Sequence, residues 1–130
     1  EKSLSPLLPS PMLRTGIDLI EIKRVEDAIA KHGERFLARI FTPAERESVG
    51  PRMASLAARF AAKEAAAKAL GTGLGDIAWR EIEIVSDEQH VPSLVLHGAA
   101  VERLHALGGS EIAVSLSHSQ GFAVAVVVIT

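Results

Sequence analysis

Between Arg52 and Leu70 the chain runs through nineteen positions dominated by alanine and other strong helix formers, with neither proline nor glycine among them. Gly50-Pro51 precedes the run and Gly71-Thr-Gly-Leu-Gly75 follows it, so residues that stop helices mark both ends. A long helix with so little side-chain bulk predicts a fold organised around one central rod that other elements approach closely. Glu64 interrupts its apolar character. At about 100° per residue it lies close in azimuth to Ala57 and Phe60 and below Leu56, so an apolar stripe runs into a carboxylate. Burying that charge unpaired costs several kcal/mol or forces protonation, and a cation, a metal or a strong donor is expected opposite it.

Lys68, one turn on, offers one partner. A second acid, Asp18, is embedded far away in the apolar run Gly16-Ile-Asp-Leu-Ile20, and two such carboxylates point to a metal site. Each also has a plainer explanation. Glu64 and Lys68 match the commonest favourable pair on an exposed helix, worth roughly 0.2 to 0.5 kcal/mol. Asp18-Leu-Ile-Glu21 matches a helix-entry pattern in which the aspartate caps the backbone and the later acid reaches back.

With 130 residues the chain fits one domain, and 48% hydrophobic content supports a substantial core. Aromatic residues make up 4%, which leaves little for stacking bases, and the net charge of −2 also argues against nucleic acid as a partner. The absence of cysteine excludes disulfides, thiolate metal sites and thiol catalysis, and is compatible with a reducing cytosol. Any metal must then use oxygen or imidazole. The longest apolar run, Phe122 to Ile129, is far shorter than the roughly 20 residues of a spanning helix, so a soluble, cytoplasmic protein without a membrane partner is expected. Residues 1–12 contain three prolines and read as a flexible extension, with Met12 as a possible original start. Residues 13–130 form the domain.

Along that domain, Leu13 to about Ile20 predicts a strand whose far end holds Asp18 near a sheet end, and about Glu21 to His32 an amphipathic helix broken at Gly33. Thr42-Pro-Ala-Glu45 has the cap, the first-turn proline and the closing acid of a helix start. Glu81 to Val85 and Ser93 to Leu96 alternate like strands, Gly98 to Leu107 predicts a short helix, and Glu111 to His118 with Phe122 to Ile129 predicts an antiparallel hairpin across Ser119-Gln-Gly121. Ile112, Val114, Leu116 and His118 share one face of its first strand. The class is α+β, a small antiparallel sheet packed on the long central helix.

Three segments in order, Gly16-Ile-Asp18 with Glu21 and Arg24, then Arg59-Phe-Ala-Ala-Lys-Glu-Ala-Ala-Ala-Lys-Ala-Leu-Gly71, then Ser115-Leu-Ser-His118, together resemble the holo-acyl carrier protein synthase family. These are the short, single-module 4′-phosphopantetheinyl transferases. The resemblance covers about Leu13 to the C-terminus and includes Phe41-Thr-Pro and Gly71-Thr-Gly. Phe60 departs from it, standing where larger relatives carry tryptophan, and Gln89-His90 replaces a glycine-containing turn expected before Pro92.

The resemblance implies that the phosphopantetheine arm of coenzyme A is moved to a serine of apo acyl carrier protein, releasing adenosine 3′,5′-bisphosphate, in fatty acid biosynthesis. It implies Mg²⁺, with Mn²⁺ as the alternative, on Asp18 and Glu64, because a hard cation held by a few carboxylates and waters suits a diphosphate. Lys68 would hold phosphate charge or orient the hydroxyl, and either Glu64 or a metal-bound water would accept the proton. Ser117 and His118 resemble residues near the phosphates of the adenosine half. Arg59 and Lys63 are expected to flank the acidic site and contact coenzyme A, and Gly71, Thr72 and Gly73 to offer it backbone amides.

Arg24 is the best match to the basic residues that meet an acidic carrier helix, with Lys23, Lys31, Arg35 and Arg39 as possible additions. Relatives of this length form homotrimers with active sites between neighbours. Here Asp18 and Glu64 are separated in motif order from His118, which fits a small chain completing a large cleft with its neighbour. Two other readings stand beside this one, a non-catalytic module binding an acidic partner and another Mg²⁺-dependent phosphotransferase or hydrolase. Neither explains two acids kept in apolar settings together with Lys68 as directly.

Overall fold

The alanine-rich segment forms the helix around which everything else is arranged. A computed structural model describes residues 13–130; residues 1–12, the expected extension, lie outside the described residues. In chain order the elements are β1 (Arg14–Glu21), α1 (Ile22–His32), α2 (Glu34–Ile40), α3 (Pro43–Val49), α4 (Met53–Leu70), a 3-10 turn (Trp79–Glu81), β2 (Ile82–Ser86), β3 (Pro92–Leu96), α5 (Gly98–Ala106), β4 (Ile112–Ser119) and β5 (Phe122–Ile129). The architecture is the expected α+β class. No helix among the described residues is long and apolar enough to cross a membrane.

Three strands form an antiparallel sheet in the order β1-β5-β4, and β2 pairs with β3 in a separate hairpin. The register sets Asp18 opposite Ala125 and Ala125 opposite Leu116. Alternation turns Gly16 and Ile20 of β1 and Ala123, Ala125, Val127 and Ile129 of β5 inward, all of them buried, while Ile17, Leu19, Phe122 and Val126 stay exposed on the other side. The small inward residues let the sheet press on α4. At Gly16 a Cβ would collide with the Ala65 carbonyl oxygen and lie 2.8 Å from Ala69 N.

Helix α4 is not amphipathic in the expected way. Twelve of its eighteen residues are buried, so instead of one apolar stripe it has nearly its whole circumference covered. Glu64 is half-buried and Lys68 exposed. The remaining core comes from Val25, Ile40, Phe41 and Val49 on one side and Ile82, Ile84, Ala100 and Leu104 on the other.

Local signals account for most boundaries. Thr42 accepts from Glu45 N at 3.1 Å while Glu45 Oε1 accepts from Thr42 N at 2.8 Å, the reciprocal cap foreseen for α3. The hairpin turns on Gln120 and Gly121, with φ of 55° and 82°, the pair of positive angles that a two-residue type I′ loop requires. Two expectations are corrected. Asp18 is not a helix cap or a strand terminus but the fifth of eight residues in β1, and Glu21, which does precede α1, makes no side-chain cap bond. The short helix α2, which the sequence did not predict, follows Gly33 directly; its Phe36 stacks on Phe60, which stacks in turn on Trp79.

Candidate active site

Strand β1 and helix α4 bring the two acids onto one wall. Asp18 lies on the inward face of β1 and Glu64 on the adjoining side of α4; with Arg24, Phe36 and Phe60 they line a cleft of about 300 Å³. Lys68, one turn along α4, reaches Asp18 rather than Glu64, its Nζ 3.2 Å from Asp18 Oδ1 and 2.9 Å from the Ile17 carbonyl oxygen. Burial, and then the neighbouring Asp18 carboxylate, push the Glu64 carboxyl above its ordinary value, with Lys68 partly opposing the rise. The exposed-pair reading therefore does not describe Glu64.

Among the described residues no group of three or more histidine, aspartate or glutamate side chains stands together as a metal cage. Two carboxylates on an open cleft instead match the needs of Mg²⁺, which keeps several waters and accepts substrate phosphate oxygens alongside one or two protein carboxylates. The cost that burial and the Asp18 charge place on ionised Glu64 is one a bound dication would relieve.

A second, larger cleft of about 600 Å³ lies on the other side of α4, against the edge strand β4. Arg52, Ser55 and Arg59 reach it from the start of α4, Ser86 and His90 from the β2–β3 hairpin, and Ser117 and His118 from β4. Ser117 and His118 fall on opposite faces of β4, so the cleft wraps the sheet edge. Arg59 is 6% exposed and donates from Nη2 to Ser86 Oγ at 3.1 Å, while its buried Nε has no hydrogen-bond partner among the described residues. Burial lowers the pKa of this guanidinium, yet an arginine stays charged in proteins. The cleft therefore combines cationic and hydroxyl side chains with a single acid, Asp87.

Arg59 thus does not flank the acidic cleft as expected. Glu64 is five positions further on, about 140° around a helix, and Arg59 instead lines the cleft that His118 lines. Lys63 requires a larger correction. It is fully buried, and its Nζ donates to Glu45 Oε1 at 2.8 Å, to the Ile82 carbonyl at 2.6 Å and to the Trp79 carbonyl at 3.1 Å, which uses all three of its protons. No donor is left for a cofactor. Glu45 Oε2 also accepts from Ile84 N at 2.9 Å, so this pair ties α3 and α4 to β2.

The amides of Gly71 and Thr72 are likewise spent at the end of α4. Gly71, at φ 70°, donates to the Lys68 carbonyl at 3.1 Å and Thr72 to the Ala67 carbonyl at 3.0 Å, a Schellman-type close. Gly73 follows them, beyond the end of α4. Arg24 is exposed at the rim of the acidic cleft; Lys31, Arg35 and Arg39 are exposed on α1 and α2, and Lys23 pairs with Asp27 at 3.2 Å. Arg52, Ser55, Ser86 and His90 were not singled out from sequence as cleft residues. The only signal for His90 was its place in the departure from a glycine-containing turn.

A family profile described as the 4′-phosphopantetheinyl transferase superfamily matches residues 14–127. The chain is 52% identical over 124 residues to the holo-[acyl-carrier-protein] synthase of Herpetosiphon aurantiacus, covering 90% of this chain and 98% of the relative. Among solved structures, it is similar to the Helicobacter pylori holo-[acyl-carrier-protein] synthase in complex with coenzyme A, with TM-score 0.82, 32% identity, and coverage of 89% of this chain and 99% of the other. The Neisseria meningitidis holo-[acyl-carrier-protein] synthase superposes with TM-score 0.80 at 36% identity, covering 90% of this chain and 97% of the other.

Proposed function

Because this chain belongs to the 4′-phosphopantetheinyl transferase superfamily, and within it to the holo-[acyl-carrier-protein] synthases, we propose that it moves the phosphopantetheinyl arm of coenzyme A to a serine hydroxyl of apo acyl carrier protein in fatty acid biosynthesis. The serine oxygen forms a bond to the phosphorus bearing the pantetheine. The bond from that phosphorus to the bridging diphosphate oxygen breaks, adenosine 3′,5′-bisphosphate leaves with the electron pair, and the hydroxyl proton passes to a base. The observation that carries this reading is the pairing of Asp18 with Glu64, with Lys68 on the same wall.

Asp18 and Glu64 would hold Mg²⁺, or Mn²⁺ in its place, which supplies charge neutralisation across the diphosphate when bound. Lys68 sits where its ammonium can leave Asp18 for a phosphate oxygen, and the serine proton would pass to Glu64 or to a metal-bound water. Arg24, exposed beside both acids, is placed to meet an acidic carrier surface next to the incoming serine.

The acidic and cationic clefts lie on opposite sides of α4, and two ladder spacings, about 10 Å, separate β1 from β4. Joining them across a neighbouring copy supports a homotrimer whose sites lie between subunits. The exposed apolar row on the outer sheet face also supports it, with Ile17 59% and Leu19 63% exposed. A cytoplasmic site of action completes the reading.

The deciding experiment incubates the protein with apo acyl carrier protein, coenzyme A and Mg²⁺ and weighs the carrier. One added phosphopantetheinyl group, with adenosine 3′,5′-bisphosphate released, is the expected result. No mass gain with several carriers would overturn the reading in favour of a binding module, and release of inorganic phosphate would favour a hydrolase.

A further inference from the structure

The amide of Gly71 closes α4 and serves no cofactor, but the space where its side chain would be is occupied in a telling way. A Cβ added at Gly71 would lie 2.7 Å from Arg14 Nη2 and 3.4 Å from Arg103 Nη2. The tips of two guanidinium groups therefore converge on one point. They arrive from different elements, Arg14 from the start of β1 and Arg103 from α5. Only the fold brings these two positive charges together.

Each guanidinium is anchored by its inner nitrogen. Arg14 Nε donates to the Ala69 carbonyl at 2.7 Å and Arg103 Nε to the Leu70 carbonyl at 2.8 Å. These bonds answer the helix terminus, whose dipole is equivalent to about half a negative charge. Two full positive charges stand against it, so the corner keeps a net positive surplus. The outer Nη nitrogens make no hydrogen bond to the described residues, and none of them is a buried orphan, so solvent reaches them. No carboxylate offsets the surplus either, because the five ion pairs among the described residues all engage other cations. Asp18, on the same strand as Arg14, is bound by Lys68, while Asp76 and Glu102 are exposed and pair with neither arginine. Like charges held this close repel, and an anion between them turns that repulsion into attraction.

We infer that Arg14 and Arg103, converging over Gly71, form a binding site for a phosphate dianion outside both clefts of the proposed active site. Guanidinium groups present donors matched to phosphate oxygens, and two of them suit a double negative charge better than a single one. Gly71 belongs to the site because a side chain there would block the approach. The site lies at the end of α4, whereas the cationic cleft is lined by residues from its start. A bound dianion would bridge β1 and α5 at the end of α4, on the strand that carries Asp18. The site stands independently of the transferase reading.

The test titrates inorganic phosphate into the protein at mildly alkaline pH, where it is a dianion, and follows backbone amide NMR signals. Sodium chloride at matched ionic strength is the reference. Saturable shifts at the Gly71 and Thr72 amides are expected in the wild-type protein and equally in Arg59→Ala, in which the cationic cleft has lost its buried guanidinium. Arg103→Gln should weaken that binding about tenfold or more, the worth of a charge-assisted contact. Arg103→Lys keeps the charge at the helix end but loses the fork, and should weaken it as well. Circular dichroism verifies that each variant folds. Absence of saturable shifts at Gly71 and Thr72, their reproduction by chloride, or an unaltered affinity in both Arg103 variants overturns the site. Shifts that vanish in Arg59→Ala would overturn it too, because the phosphate would then sit in the cleft at β4.

Discussion

Glu64, proposed as a metal ligand, illustrates how a half-buried charge opposes stability. Burial and Asp18 raise its pKa above the unfolded value, so the folded chain binds this proton more tightly than the unfolded one. The stability this confers is fully present below the unfolded carboxylate range and is lost as pH rises through the raised value. At neutral pH the ionised form is therefore a burden. Glu64→Gln is expected to melt at a higher temperature than wild type at neutral pH, with the gap closing as the solution is acidified. Its kcat should fall about 10²-fold or more, as for loss of other charge-stabilising groups. Melting curves across pH and carrier-modification rates measure both. Lys63 shows the opposite case, a charge spent wholly on structure. Lys63→Met leaves Glu45 buried without its cation and should cost about 3–5 kcal/mol in urea unfolding. The surviving folded fraction should keep its KM for coenzyme A; a selective rise in that KM with stability intact would restore the cofactor contact expected from sequence.

Between elements, the seam of β1 and α4 is what sets the acids at their spacing. Gly16 has no side chain because the Ala65 carbonyl occupies the space one would need, and Arg14 Nε fastens the same strand to the Ala69 carbonyl at 2.7 Å. Gly16→Ala must push strand from helix. An overpacking cost of about 1–3 kcal/mol is expected, and because Asp18 is two residues along the strand, kcat should fall as well. Denaturant unfolding and steady-state kinetics on the same preparation would reveal a change in one without the other, which would separate the seam from the site. Arg103 contributes to the same end of α4 by donating to the Leu70 carbonyl at 2.8 Å. Both arginines thus answer the exposed carbonyls at the helix terminus.

For the whole molecule, the proposed site, divided between an acidic cleft at β1 and a cationic cleft at β4, makes a specific demand on assembly. If neighbouring copies join the two, a chain carrying Glu64→Gln and a chain carrying Arg59→Ala are each nearly inactive alone. Mixed after reversible dissociation, they should regain part of the wild-type rate, because some interfaces then pair an intact acidic cleft with an intact cationic one. Absence of any recovery in a verified mixed oligomer would place both halves of the site in one chain. Ile17, Leu19 and Val126 form an exposed apolar row on the outer sheet face, which such copies would have reason to cover.

Sequence alone determined whatever depends on near neighbours in the chain. The reciprocal cap at Thr42 and Glu45, the end of α4 at Gly71 and the hairpin at Gln120-Gly121 are settled by backbone geometry within a few residues, and the oddness of Asp18 and Glu64 in apolar runs marked them before any fold was known. Tertiary structure decided which way each charge on α4 faces. Helical spacing fixes the angles between Arg59, Lys63 and Glu64, but a helix covered on nearly every side has no solvent face from which to count them. Only packing against β2, β4 and β1 sent Lys63 inward to Glu45, Arg59 to the edge strand and Glu64 to Asp18.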